Sequence, residues 1–359
     1  MRWGVAALLL LAAKTVSADE VVDPCACSPN KPHFHRASAL TGDWNGERQT
    51  LLEHGVKIAG TYAPEVYVAP ELDDQSVVGA GLFTVVGDVD LAKLAHDGLG
   101  QLHVAGLAIH GHGISERLMD VYGVSNNAAT PGVRLFEAWY EQPIGPLTIR
   151  AGNLSADQEF ILAEHSTVLL SGTFGIVALM SADTGGPVYP VASPGVSARV
   201  EADQLLVRAA IYNSEAAENH GVPTAFEGDS LAIGEVQLGG LVQLGAWHHT
   251  TAGNGYYMIV DHPLEKLLGV FVRAAIAPDQ QVSRYADTGV RFRMGPWRPR
   301  DFASAGIAWS RTEDGMQTLA EVTYQVLVRG WLTVQPDAQL VLQHQQGSVV
   351  MAVRAVIAL

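Results

Sequence analysis

The chain has 359 residues, of which 37 are acidic and 22 are basic, so its formal net charge is −15. Only 16% of the residues are charged and 48% are hydrophobic, which argues against disorder, because disordered chains combine low hydrophobicity with high charge. Nucleic-acid binding is also disfavoured, since an acidic chain repels phosphates and no basic cluster interrupts it.

The first residues have the features of a secretory signal peptide. Arg2 supplies a positive end, residues 5–13 form a short apolar core, and residues 16–18 are small and precede a cleavage position at Asp19. The apolar core is far shorter than the ~20 residues of a membrane-spanning helix. We therefore predict a cleaved signal peptide over residues 1–18.

Residues 19–55 are predicted to form an N-terminal periplasmic segment with one short helix. Thr41 or Asp43 could cap this helix, Leu51 and Leu52 would lie on one side of it, and Gly55 would end it. Beyond Gly55 the helical period disappears, and Gly, Pro, Asp and Asn punctuate about sixteen strand-like segments.

These segments alternate between apolar and polar or small residues. The last one is an example, in which one face carries Val349, Met351, Val353, Ala355, Ile357 and Leu359, whereas the other carries Ser348, Ala352 and Arg354. A soluble β-sandwich buries its apolar face and wets the other. An outer-membrane barrel turns the apolar face to lipid and the polar face to a watery lumen. The alternation alone fits both.

Three features favour the barrel. The polar faces carry few lysines, Trp and Tyr lie near strand ends as in an aromatic girdle, and the segments are close to ten residues long. We predict an all-β fold, a transmembrane antiparallel β-barrel of about sixteen strands over residues 56–359. The alternative is a secreted, soluble β-sandwich that binds carbohydrate.

Several blocks of the sequence, in order, resemble the OprB family of carbohydrate-selective porins. They include LTGDWNGERQTLLEHGVKIAGTYAPEVY, the more specific RLFEAWYEQPIGPLTIRAGNLSADQEF, and later GPVYPVASPGVSARVEA and LGVFVRAAIAPDQQVSRYADTGVRF. The resemblance implies a sixteen-stranded barrel in the outer membrane of a Gram-negative cell, through which small sugars diffuse into the periplasm. Its expected partners are mono- and disaccharides and outer-membrane lipid, and no nucleic acid.

Side chains that line the lumen are predicted from the strand around residues 134–142. One face holds Phe136, Ala138 and Tyr140, and the other holds Glu137, Trp139 and Glu141. The first face is expected to meet lipid, because the opposite register would bury Glu137 in hydrocarbon at a cost of several kcal/mol. Glu137 and Trp139 would then offer sugars an acceptor and an aromatic surface. Alternatively, Glu137 only pairs with a luminal arginine.

Four further residues complete the predicted pore lining. Arg150 shares a face with Thr148 on the next strand, and Arg199 lies on a later strand with mixed charge. Asp157 and Glu159 follow in what looks like a turn or an inward-folded loop, although a solvated loop is the alternative. A lining with both signs of charge suits neutral, hydroxyl-rich solutes better than ions of one sign.

No enzymatic activity, cofactor or metal is expected. His110 and His112 could share a strand face and chelate a metal, but no acidic or cysteine partner is near them in sequence. Asp157 and Glu159 could be read as the two carboxylates of a glycosidase, yet two such acids are common in any loop. No phosphate-binding glycine loop or nucleophile elbow occurs.

Overall fold

The computed structural model describes residues 38–359 except 73–76, 96, 185, 215–227, 279 and 344–345. The strands in this part of the chain are β1 (Val56–Val68), β2 (Val77–Asp90), β3 (Gln101–Gly111), β4 (Gly132–Ile144), β5 (Leu147–Leu154), β6 (Ser193–Ala202), β7 (Leu205–Asn213), β8 (Ser230–Leu238), β9 (Val242–His249), β10 (Gly253–Glu265), β11 (Leu268–Ile276), β12 (Val282–Arg293), β13 (Phe302–Thr312), β14 (Gly315–Arg329), β15 (Leu332–Gln343) and β16 (Gln346–Ala358).

These sixteen strands form one closed antiparallel barrel. Each strand pairs with its neighbours in sequence, and β1 closes the barrel by pairing with β16. The predicted all-β barrel of about sixteen strands is confirmed. A sandwich of two separate sheets does not fit this closed arrangement.

The helices are short and are not part of the wall. They are α1 (Glu47–Glu53), α2 (Leu91–Leu94), α3 (Ser115–Leu118) and α4 (Ala178–Asp183), together with 3₁₀ turns at Trp44–Gly46, Ala156–Gln158, Glu164–Ser166 and Gly172–Phe174. None of the described helices is long and apolar enough to cross a membrane.

The predicted N-terminal helix is present as α1, but its cap differs from the prediction. The helix begins after Gly46, whose φ is +94°, and no side chain caps it, so neither Thr41 nor Asp43 has that role. It ends as predicted just before Gly55, at φ +84°. The predicted signal peptide, residues 1–18, and the chain up to residue 37 lie outside the described residues.

The two ends of the barrel differ in their connections. At the end next to α1, most neighbouring strands are joined by short turns; we call this the inner end. At the opposite, outer end, three long connections span residues 112–131, 155–192 and 214–229, whereas the remaining outer connections are short. The chain therefore concentrates its outer loops between β3 and β8.

The strand faces alternate as the barrel hypothesis requires. On β16 the side chain of Val353 is 51% exposed, whereas Val350 is fully buried. Similar exposed apolar side chains occur on the outward face of strands all around the wall. An apolar exterior of this extent is expected where a barrel meets lipid.

The interior is more filled than a simple watery lumen. The connections 112–131 and 155–192, which we call the two inner loops, fold into the barrel and pack against apolar side chains of the wall. Loop residues in this core include Ile114, Tyr122, Phe160, Leu169, Phe174 and Leu179, and wall residues include Tyr212, Trp247, Tyr257 and Phe271. The loops therefore narrow the passage through the barrel.

Carboxylates of the wall hold the second inner loop by its backbone. The bonds run from Ile161 N to Glu235 (3.3 Å), from Leu170 N and Ser171 N to Glu321 (2.5 and 3.0 Å), and from Glu164 N to Asp261. Each accepting carboxylate is buried, and each satisfies N–H groups that would otherwise be buried without partners.

Donors of the wall hold the carbonyls of the same loop. Gln335 donates to Val168 O at 2.6 Å, and Arg273 donates to Thr173 O at 2.7 Å. The Arg273 side chain is fully buried and forms a salt bridge with Asp287. The second inner loop is thus fixed to the wall by hydrogen bonds from its N–H groups to wall carboxylates and by hydrogen bonds from wall side chains to its carbonyls.

Candidate functional site

A β-bulge determines which residues of β4 face the lumen. Ala105 on β3 lies opposite Glu137, whereas Gly106 lies opposite Leu135, so Phe136 is an extra residue between them. A bulge changes the direction in which the side chains next to it point. Phe136 is buried against Ala105 and other inward residues, and the prediction that it faces lipid is wrong.

The predicted luminal residues Glu137 and Trp139 do face inward. Glu137 accepts a hydrogen bond from Ser155 N at 3.1 Å and lies 3.7 Å from His103 Nε2. It does not pair with an arginine directly. Instead, His103 lies between Glu137 and Asp88. The Oδ1 atom of Asp88 is 2.7 Å from His103 Nδ1.

Trp139 is stacked on both sides. The imidazole of His103 lies parallel to its ring at a centroid distance of 4.6 Å, and the Arg150 guanidinium lies 3.9 Å from its ring centroid. Because β3 and β5 flank β4, these two contacts come from opposite sides. Both faces of the indole are therefore covered, and its buried Nε1–H has no acceptor among the described residues.

Arg150 connects two acidic side chains. Its guanidinium lies 2.7 Å from Glu141 and 2.7 Å from Glu159, and Arg199 adds a third contact, at 3.1 Å from Glu141. Cross-strand pairing explains the first contact, since Arg150 lies directly opposite Glu141. Charged hydrogen bonds of this kind are the stronger ones in proteins.

The two acids of the second inner loop have different surroundings. Glu159 accepts from Ser197 Oγ at 3.0 Å and from Tyr212 at 3.2 Å, so it is part of the charged network. Asp157 instead accepts from Ser155 Oγ at 2.5 Å and from Tyr189 N at 3.0 Å. Burial raises the pKa of the Asp157 carboxyl, although these hydrogen bonds oppose the rise.

Five of the six predicted lining residues therefore meet in one band across β2 to β6, which we call the luminal strip. Its members are Asp88, His103, Glu137, Trp139, Glu141, Arg150, Glu159 and Arg199. Asp157 lies beside the strip and stabilises the loop. A cavity of about 90 Å³ borders Glu141, Arg150, Glu159, Arg199 and Arg208.

Sequence reasoning missed His103 and Asp88. Each lies on an alternating strand, and a single polar residue there gives no sign of its partner. The one available sequence signal was the alternation in β2 and β3, which places both side chains on the inward face. There His103 lies opposite Asp88 on one neighbouring strand and opposite Trp139 on the other.

The histidine pair considered for a metal does not share a strand face. His110 faces outward and lies 2.9 Å from Tyr62 Oη, whereas His112 follows the end of β3 at Gly111. Among the described residues, no group of three or more His, Cys, Asp or Glu side chains is arranged to hold a metal ion.

The fold is similar to that of solved porins. OprB of Pseudomonas putida at high pH matches with a TM-score of 0.82 and 16% identity, covering 91% of this chain and 100% of that one. The low-pH structure of the same protein matches with a TM-score of 0.63 at 16% identity, covering 90% and 99%. A triple mutant of Rhodopseudomonas blastica porin reaches 0.56 at 8% identity, covering 85% and 100%.

Sequence comparisons give the family. A search of curated proteins finds no match. The family model of the carbohydrate-selective porins matches residues 74–261, just over half of the chain, and this range includes the whole luminal strip. A porin family and a closed barrel indicate a channel of the outer membrane rather than an enzyme. This chain belongs to the OprB family of carbohydrate-selective porins.

Proposed function

We propose that the barrel lets small neutral sugars, mono- and disaccharides, diffuse across the outer membrane into the periplasm. In this proposal residues 1–18 are removed on export, residues 19–55 lie in the periplasm beside the inner end, and the outer end faces the medium. One observation carries the proposal. The luminal strip places donors and acceptors of both charges along the wall of a barrel that two loops have narrowed.

The pairing of charges explains why neutral solutes are favoured. Each arginine of the strip is compensated by a nearby carboxylate, so the wall presents no uncompensated positive charge to attract a free anion. The carboxylate oxygens and guanidinium N–H groups can nevertheless replace the hydrogen bonds between sugar hydroxyls and water. Selectivity in pores depends on width and on such lining groups.

Ion selectivity should change in opposite directions when the strip loses one charge. Arg150→Gln leaves Glu141 and Glu159 less compensated and is expected to shift permeability towards cations, whereas Glu137→Gln should shift it towards anions. Reversal potentials in a salt gradient measure both effects. Arg300→Gln, in the turn at the inner end, is the control for a charge change outside the strip. If Arg150→Gln and Glu137→Gln both match wild type, these residues do not line the constriction.

Trp139 is proposed to hold the strip in place and to contact sugars through its edge. Cation–π contacts such as that of Arg150 contribute about 0.5–2 kcal/mol. Trp139→Leu should therefore release Arg150 and weaken the block of current by added sugar several-fold. Trp139→Phe keeps an aromatic face and should retain most of the block. Equal sugar block in wild type and Trp139→Leu would contradict this role.

Single-channel recording in planar bilayers tests the pore itself. Refolded protein should produce stepwise conductance, and added mono- or disaccharide should reduce it. The folded state is checked by its heat-modifiable mobility on gels. A folded protein without conductance would contradict the proposed function.

A further inference from the structure

Two arginines face outward at the outer rim of the barrel, on the side that meets lipid. Arg284 is near the start of β12 and Arg311 is near the end of β13, and both side chains are exposed. Their neighbours along the strands, Tyr285 and Ser310, are buried inside. In the outer halves of the described strands, every other Asp, Glu, Lys or Arg side chain faces inward.

The two arginines are direct cross-strand partners. Arg284 and Arg311 are paired in the register of β12 and β13, which puts their Cβ atoms about 4.5–5.5 Å apart. Like charges in directly opposite positions destabilise a sheet. Within the described residues, neither guanidinium forms a salt bridge or a hydrogen bond with a protein acceptor. No described side chain therefore forms an ion pair with either arginine.

The outward neighbours of the pair within the strands are apolar. One row of outward residues crosses five strands at this level and consists of Tyr256, Ile276, Arg284, Arg311 and Met316. Tyr256, Ile276 and Met316 are exposed. Trp309 lies one outward position below Arg311, where an aromatic side chain typically marks the membrane interface.

From this geometry we infer that Arg284 and Arg311 bind the phosphate groups of a phosphorylated lipid in the outer leaflet. Guanidinium groups bind phosphate with paired hydrogen bonds, and the fork of Arg suits this better than the point charge of Lys. The acyl chains of the same lipid would lie along Ile276, Met316 and Trp309. The inference goes beyond sugar passage and rests only on the proposed orientation of the outer end.

An anion at this position also removes the repulsion between the two arginines. Clusters of basic residues next to a membrane-embedded surface are a known means of binding anionic headgroups. Arg near the interface, unlike Arg at the midplane, costs a barrel only about 0–1 kcal/mol. The two arginines at the rim therefore lower the stability of the barrel only slightly, so a binding role there is compatible with a stable fold.

Native mass spectrometry of the full-length protein in detergent tests the inference. The probes are a diphosphorylated lipid A and a dephosphorylated lipid with the same acyl chains. Wild-type protein is expected to bind the diphosphorylated lipid at least about tenfold more tightly, because charged hydrogen bonds to phosphate are lost with the other probe. No preference in the wild type would overturn the inference without any variant being needed.

Matched double variants locate the site. Arg284→Gln with Arg311→Gln should abolish the preference, whereas Arg300→Gln with Arg329→Gln removes the same charge at the inner end and should keep it. Arg284→Gln alone should give an intermediate preference and covers the case in which the double variant does not fold. A preference that survives in the folded rim variants would contradict the site. None of these outcomes depends on sugar passage, so the two proposals fail separately.

Discussion

Replacing Val353 by arginine is expected to prevent most of the protein from assembling as a barrel. Val353 lies in the middle of β16, points outward, and is flanked across the strands by Val66 and Pro336. Arginine on the lipid face near the bilayer midplane costs about 2–4 kcal/mol. Heat-modifiable mobility after refolding into lipid vesicles measures the assembled fraction.

Two control variants separate the lipid face from a general intolerance of substitution. Val353→Leu keeps the outward position apolar and should assemble like wild type. Gln325→Arg adds the same arginine on β14, on the inward face of the wall, where neighbouring Thr323 is buried inside. It should also assemble. Equal damage from Val353→Arg and Gln325→Arg would contradict an alternation of lipid and lumen.

Removal of Arg273 is expected to loosen the second inner loop. Arg273 is fully buried, donates to Thr173 O at 2.7 Å and pairs with Asp287. Arg273→Met leaves the Asp287 carboxylate buried, and Tyr285 Oη, at 2.6 Å, is then its one remaining side-chain donor among the described residues. Breaking one partner of a buried pair costs about 3–5 kcal/mol. We expect a lower unfolding temperature and a larger, noisier conductance with weaker sugar block.

A second substitution distinguishes loop anchoring from general destabilisation. Arg273→Met combined with Asp287→Asn removes the unpaired charge and should recover much of the unfolding temperature. It does not restore the donor to Thr173 O, so the conductance should stay noisy. If Arg273→Met leaves conductance and sugar block unchanged, the buried pair stabilises the wall but does not position the loop.

The wall was predictable from the sequence because alternation is a local property. Val349, Met351 and Val353 reveal their common face by spacing alone, and one residue of slip would place Arg354 in lipid. Arg354 is in fact buried inside, where it forms a salt bridge with Glu65. The same logic placed Glu137, Trp139 and Arg150 on the inward face.

The interior was less predictable because its contacts join distant parts of the chain. Glu321 accepts a hydrogen bond from Leu170 N, 151 positions away in sequence, and no local sequence pattern predicts that contact. The bulge at Phe136 could not be predicted from the alternation of apolar and polar residues either. The extra residue changes which positions face inward on one side of the bulge but not on the other. The prediction for Phe136 failed for this reason, while Glu137 and Trp139, beyond the bulge, kept their side.

The stacking of Trp139 shows a related limit. From sequence, an inward tryptophan in a sugar pore suggests an open aromatic face. The structure instead places His103 on one side and Arg150 on the other. Both partners come from neighbouring strands, whose register depends on turn lengths and on the bulge. The stacking of Trp139 between His103 and Arg150 therefore forms only when the strands pair in the barrel.

Liposome swelling with a panel of solutes tests whether this barrel is a pore for neutral sugars. Vesicles containing the folded protein are diluted into iso-osmotic mono- and disaccharides, and into a charged sugar of similar size. We expect rapid swelling in the neutral monosaccharide, slower swelling in the disaccharide, and slower entry of the charged sugar than of its neutral counterpart. Swelling no faster than in protein-free vesicles, with the barrel shown to be folded, would contradict the proposed function.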